Sequence, residues 1–251
     1  MSQPNRGDHS PSRDDTPGAT SSRPWWQPYA IVAAVTAVVL LLMVWQVVAR
    51  GPFIAWDWPF HAWVDARQPS GALRTSLDVV ASIGGQRLFT APIVIGVAVW
   101  AAYKRRSLRP LMAIAAGLAT VFFVGYAIKF GLSRTPPADG VDMLHGDGQA
   151  FPSGHTANAT LTWTMVVILI FGVAGFRPDA RLFRRWLGVA LGMIFVAGVL
   201  MTALDYHWVS DIPGGWALGI LAIMVSVIAL GPPPTPREPD DALERAESAA
   251  T

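Results

Sequence analysis

Two histidines and an aspartate stand where polar loops meet apolar runs. The first, His155, lies in Phe151-Pro152-Ser153-Gly154-His155-Thr156, which ends a Gly- and Pro-rich loop and opens an apolar run to Phe176. The second opens His207-Trp208-Val209-Ser210-Asp211, again at the edge of an apolar run. Imidazole is the side chain that changes charge near neutral pH, and a carboxylate on one ring nitrogen makes the other a better nucleophile or base. His207 and Asp211 are spaced to share a face if their turn is helical. Ser153-Gly154 marks a helix start, whose first N–H groups lack internal partners and point at any anion placed there, and glycine lets that anion come close. Lys129, at the end of the preceding apolar run, would add a cation. These types in this order suit chemistry on a phosphate. Each residue also has a plainer reading. Ser153 is a good N-cap, and His155 could be a satisfied interfacial histidine. Asp211 or Ser210 could cap a helix that has Pro213 in its first turn, and Lys129 could snorkel to the interface.

The elements that must position these groups are membrane helices. The 251-residue chain is 52% hydrophobic and 14% charged, whereas a soluble domain carries about a quarter charged residues. A net charge of +2 does not suggest nucleic-acid binding, and the absence of cysteine excludes disulfides, thiolate metal sites and a cysteine nucleophile. Six apolar runs occupy 28–49, 88–103, 110–128, 154–176, 186–205 and 213–230. A spanning helix needs about 20 residues, with a lower limit near 17, so the second run is short and is expected to begin before Arg87 or tilt little. Residues 51–86 hold Trp56, Trp58, Phe60 and Trp63 between charges and read as an amphipathic interfacial segment. The expected fold is therefore all-α: a polytopic six-transmembrane-helix bundle over residues 25–230. The polar tails, 1–24 and 231–251, are expected to be disordered.

Basic residues set the expected orientation. Lys104, Arg105, Arg106 and Arg109 crowd one short loop, and Arg177, Arg181, Arg184 and Arg185 another. The positive-inside rule makes that side cytoplasmic, together with both termini, in a cell (inner) membrane. Residues 129–153 and 206–212 then lie on the extracytoplasmic side, as do Arg50, Arg67, Arg74 and Arg87. His145 and Asp147 read as solvated loop residues and His61 as interfacial. Asp205 either joins the site or only ends a helix.

The constellation resembles the type 2 phosphatidic acid phosphatases, the membrane branch of the superfamily that includes vanadium haloperoxidases. That family carries K-x6-R-P, then P-S-G-H, then S-R-x5-H-x3-D. Here Pro152-Ser153-Gly154-His155 is complete, His207 and Asp211 keep their spacing, and Lys129 is followed by Pro137. The arginines expected at 136 and 201 are replaced by Pro136 and Met201, with Leu200 before the latter. A hydrogen bond to a charged group contributes about 1.5–3 kcal/mol, so two lost clamps would need replacement. Arg134, two residues before the expected position, is the first candidate, and Arg87 the second.

The resemblance implies that His207 attacks phosphorus, Asp211 orients it, and His155 protonates the leaving alcohol. Lys129, Arg134, Ser153 and the Gly154 N–H would hold the phosphoryl oxygens. It implies no metal and no cofactor. The expected partner is a lipid or polyprenyl phosphate within the bilayer, and the oligomeric state stays open. Two readings stand beside hydrolysis: a phosphotransferase using the same intermediate, and a non-catalytic lipid-phosphate-binding membrane protein. A transporter is disfavoured because the charges gather at one membrane face.

Overall fold

Six helical segments have the length and apolarity to cross a bilayer: Gln27–Val48, Gly71–Arg105, Arg109–Asp139, Gly154–Phe171, Ala180–Ala203 and Asp211–Leu230. They belong to a computed structural model that describes residues 23–233. Of the tails expected to be disordered, 1–24 and 231–251, residues 1–22 and 234–251 lie outside the described residues. Among the described residues the fold is all-α. The helices are α1 (Gln27–Val48), α2 (Asp57–Asp65), α3 (Gly71–Gly85), α4 (Arg87–Arg105), α5 (Arg109–Leu132), α6 (Gly154–Phe171), α7 (Ala180–Ala203) and α8 (Asp211–Leu230).

Local signals explain most boundaries. The Ser153 side chain accepts from the Thr156 N–H and starts α6. Asp179 accepts from the N–H groups of Arg181 and Leu182 and starts α7. That cap draws Arg181, Arg184 and Arg185 into the first turns of α7, where loop positions were expected. Likewise α5 runs past the expected 128 to Leu132, so Lys129 lies in its last turn. Arg106 and Ser133 adopt left-handed backbone (φ 49° and 41°) and stop α4 and α5.

The segment 51–86 is the main departure. It is not one interfacial stretch but two helices. The short α2 exposes Trp56, Trp58 and Trp63, as suits a headgroup-level element. The second, α3, packs against α6 and α7, with Leu77 and Ala81 set against Leu200, Met201, Leu204 and Ile212. Extended backbone at Gln86 (φ −71°, ψ 131°) then separates α3 from α4. The short second run is thus α4 itself, preceded by α3 rather than extended.

Helices α6 and α8 form the centre: α6 packs on α4, α7 and α8, and α8 on α1, α5 and α6. In lipid, helix association relies on close packing of small residues rather than on expulsion of water. Here a side chain at Gly215 would collide with Thr156 and the Ser153 carbonyl, and one at Gly219 with Thr160. Gly215→Ala or Gly219→Ala should destabilise the protein by about 1–3 kcal/mol through overpacking. Gly192→Ala, which has open space around it, should be neutral or slightly stabilising. Thermal unfolding in detergent checks this, and equal effects at Gly215 and Gly192 would refute the packing.

Candidate active site

The starts of α6 and α8 lie side by side. The Ser153 N–H donates to the Asp211 carbonyl at 3.1 Å. A Cβ at Gly214 would lie 2.8 Å from the Phe151 ring, with Pro152 beside it. This junction draws the Pro152–His155 segment to the His207–Asp211 segment. Ser153 is buried there, its oxygen turned to the Thr156 N–H at 3.4 Å. It therefore acts as the cap of α6 and does not border the cavity described below. Gly154 and His155 are half-buried in the first turn.

His207 precedes α8 in a non-helical turn, so the contact expected from a helical spacing is made another way. Asp211, in the first turn of α8, reaches back. One carboxylate oxygen accepts from the Trp208 N–H at 2.9 Å and faces His207 Nδ1 at 3.4 Å. The other accepts from Arg134 at 2.8 Å. With Nδ1 toward the carboxylate, Nε2 is the nitrogen left for chemistry. His207 retains 8% exposure.

Arg134 is fully buried, and all five of its N–H donors are engaged. Nε and Nη2 donate to Asp142 at 2.8 and 3.0 Å, Nη1 to Ser210 and Asp211 at 2.9 and 2.8 Å, and Nη2 also to Asp57 at 2.7 Å. The carboxylates of Asp142, Asp211 and Asp57 offset the burial of this guanidinium. Burial pushes the Asp57 pKa up, only partly offset by hydrogen bonds from Ser210 and Arg134. Asp57 also accepts from the Ser210 N–H at 2.9 Å and its hydroxyl at 2.6 Å. Arg50 closes the outer edge by pairing with Asp142. Arg134 was expected to clamp substrate phosphate; in the structure three carboxylates and Ser210 take up its donors.

Asp57, Asp142 and Trp208 were not singled out from sequence. Asp57 had a signal, since a carboxylate between Trp56 and Trp58 at membrane level is costly without a buried partner. Trp208 is buried, donates Nε1 to the Thr135 carbonyl at 2.7 Å, and lies 5.5 Å from the Arg134 guanidinium. Asp205 pairs with His61 Nδ1 at 2.9 Å, outside the Arg134 cluster. His145 and Asp147 are exposed.

A cavity of about 250 Å³ opens beside the junction, bordered by Lys129, Gly154, His155, Asn158 and Arg87. The Lys129 stem passes 3.8 Å from the Cβ position of Gly154, and its ammonium donates to the Gln149 carbonyl. The structure thus gathers Lys129, Gly154 and His155 on one cavity wall. His207, Asp211 and Arg134 are buried next to this junction and are not among the residues that border the cavity. Met201 is buried against α3, so an apolar contact fills that position.

Removing one partner of a buried ion pair costs about 3–5 kcal/mol. Arg134→Met should therefore lower thermal stability by that order, and adding Asp57→Asn should recover part of it. Thermal unfolding of both variants is the check. A stable Arg134→Met protein that has lost only phosphate affinity would restore Arg134 as a clamp.

Comparison with known proteins matches residues 110–231 to the model of the PAP2 superfamily. Phosphatidylglycerophosphatase B of Bacillus subtilis (strain 168) is 23% identical over 138 residues, 55% of this chain. That match spans 66% of the relative's length, just under two thirds. The fold is similar to the crystal structure of the transmembrane PAP2 type phosphatidylglycerolphosphate phosphatase from Bacillus subtilis. The TM-score is 0.63 at 18% identity, covering 78% of this chain and 94% of that one. The matched residues include the complete Pro152–His155 segment and the His207–Asp211 pair, so residues 110–231 of this multi-pass membrane chain are similar to the PAP2 superfamily where the candidate site lies.

Proposed function

We propose that the protein is a membrane phosphatase that releases phosphate from a lipid phosphomonoester or diphosphate at the extracytoplasmic face. The observation that carries the reading is the α6–α8 junction, with the Ser153 N–H on the Asp211 carbonyl at 3.1 Å. It draws the segments carrying His155 and the His207–Asp211 pair together, next to a cavity walled by Lys129 and Gly154. Phosphoryl transfer asks a protein mainly for positioning and charge stabilisation, and these groups supply both. The Bacillus subtilis relatives are named for phosphatidylglycerophosphate, and a substrate of that class suits a cavity bordered by membrane helices.

In this mechanism Nε2 of His207 attacks phosphorus while Asp211 holds Nδ1. The bond from phosphorus to the lipid oxygen breaks, and His155 gives that oxygen its proton. Water then attacks the phosphohistidine, His155 takes a proton from it, the P–N bond breaks and phosphate leaves. Lys129 and the Gly154 N–H face the phosphoryl oxygens. The charged short loop around Lys104, Arg105, Arg106 and Arg109 supports placing the opposite end, with the site, outside the cytoplasm.

The purified protein should release phosphate from lipid phosphates in the presence of EDTA. His155→Gln should lower kcat by about 10²–10⁴. His207→Gln should abolish both turnover and an acid-labile phosphoryl label on the chain. Activity that requires added divalent metal, or a label that survives His207→Gln, would overturn the scheme. Binding without release, unchanged by His207→Gln, would favour a non-catalytic binder. A reporter fused in the loop at Gly146 should read extracytoplasmic, and a cytoplasmic signal there would reverse the orientation.

A further inference from the structure

The cavity holds two groups that the mechanism above leaves unused. The first is Arg87, at the start of α4 just beyond the break at Gln86. Its guanidinium carbon lies 5.4 Å from the Phe122 ring centre and 5.5 Å from that of Tyr126, both on α5 and the latter one turn before Lys129. Such stacking holds the plane of the guanidinium while leaving its N–H edge free. Among the described residues no carboxylate pairs with it. Arg87 and Arg134 are therefore opposites: one guanidinium has every donor engaged and faces protein, and the other borders the cavity. The break at Gln86 places it there, because Gly85, two residues earlier, lies against the His155 backbone. A Cβ at Gly85 would come within 2.6 Å of the His155 carbonyl.

The second group is Asn158. It is 5% exposed, borders the same cavity, and its Oδ1 has no hydrogen-bond partner. An orphaned amide oxygen at membrane depth carries a free-energy cost unless a ligand supplies a donor. Asn158 follows His155 by three residues, which places it on the same face about 4.5 Å further along the helix. Phosphate oxygens accept hydrogen bonds, and acyl chains offer no donor. A hydroxyl on the leaving alcohol would supply the donor this carbonyl lacks.

We propose that this cavity is the substrate subsite, in which Arg87 supplies the phosphate-clamping guanidinium absent at positions 136 and 201, and Asn158 accepts from a hydroxyl next to the scissile ester. The inference rests on the phosphatase reading and narrows its substrate to a lipid phosphomonoester with a free neighbouring hydroxyl, as in a glycerol phosphate headgroup.

The test uses the full chain in detergent. Titration with inorganic phosphate, followed by calorimetry, should give a Kd about 10- to 100-fold weaker in Arg87→Met. Arg87→Lys should recover part of the loss, and thermal unfolding should show both variants folded. Arg87→Gln replaces Arg87→Met if the latter does not fold. An unchanged Kd in a folded uncharged variant, or a wild type that binds no phosphate, overturns the Arg87 assignment. For Asn158, kcat/KM is compared on phosphatidylglycerophosphate, with a hydroxyl beside its terminal phosphate, and on phosphatidic acid, whose neighbouring oxygen is acylated. Asn158→Leu should lower the first about three- to tenfold and leave the second unchanged. Equal effects on both lipids overturn the assignment. A wild type that releases phosphate from neither sinks the phosphatase reading and the Asn158 role together, while the phosphate titration still decides Arg87.

Discussion

A buried guanidinium must have its donors satisfied, and Arg134 meets that condition by binding three parts of the chain. Its five N–H groups join Asp57 of α2, Asp142 of the 133–153 loop, and Ser210 and Asp211 at the start of α8. None of these segments is adjacent in sequence to all the others. The cluster places three carboxylates around one guanidinium, with Arg50 compensating at the edge. The negative excess lies beside His207. Arg134 thus contacts Asp211, the carboxylate that faces His207, with every donor taken up by protein groups.

The same cluster accounts for the irregular backbone around it. Loops at membrane level survive only where protein satisfies their polar groups. The 133–153 loop does so internally: Thr135 bonds Met143 at 3.0 Å, His145 bonds Leu132 at 2.8 Å, and Ala150 bonds Arg134 at 2.9 Å. Trp208 then closes its inner side through the Thr135 carbonyl. A second tie fastens α2 and α3 over the α7–α8 turn. It runs through His61 to Asp205, Tyr206 to Asp78, and Arg74 to the Leu204 carbonyl. The turn carrying His207 is therefore held from both sides by the segment that sequence assigned to the interface.

The departure at Met201 and the position of Arg87 have a shared structural context. Met201 is buried in a cluster with Ala81 of α3. The chain then breaks at Gln86, and Arg87 borders the cavity. An arginine side chain at 201 would meet the apolar face of α3. The docking of α3 thus bears on both positions.

The all-α architecture, the spanning runs and the candidate histidines were legible in the amino-acid sequence because they depend on local rules: hydropathy over a helix length, Ser153 as a cap, and the short Pro152–His155 and His207–Asp211 spacings. Those rules say nothing about the direction in which a long polar side chain points. Sequence ranked Arg134 ahead of Arg87 by its nearness to the motif position, and only their neighbours show how differently the two are surrounded. Asp57 and Asp142 surround the first, whereas Phe122 and Tyr126 lie against the second, which pairs with no carboxylate among the described residues. The docking of α3 was equally hidden, because an amphipathic helix suits a headgroup layer and a bundle flank alike. Sequence determined which residues could do the chemistry. Tertiary structure decided which charges are neutralised inside the protein and which border a cavity, because pairing depends on contacts between segments far apart in the chain.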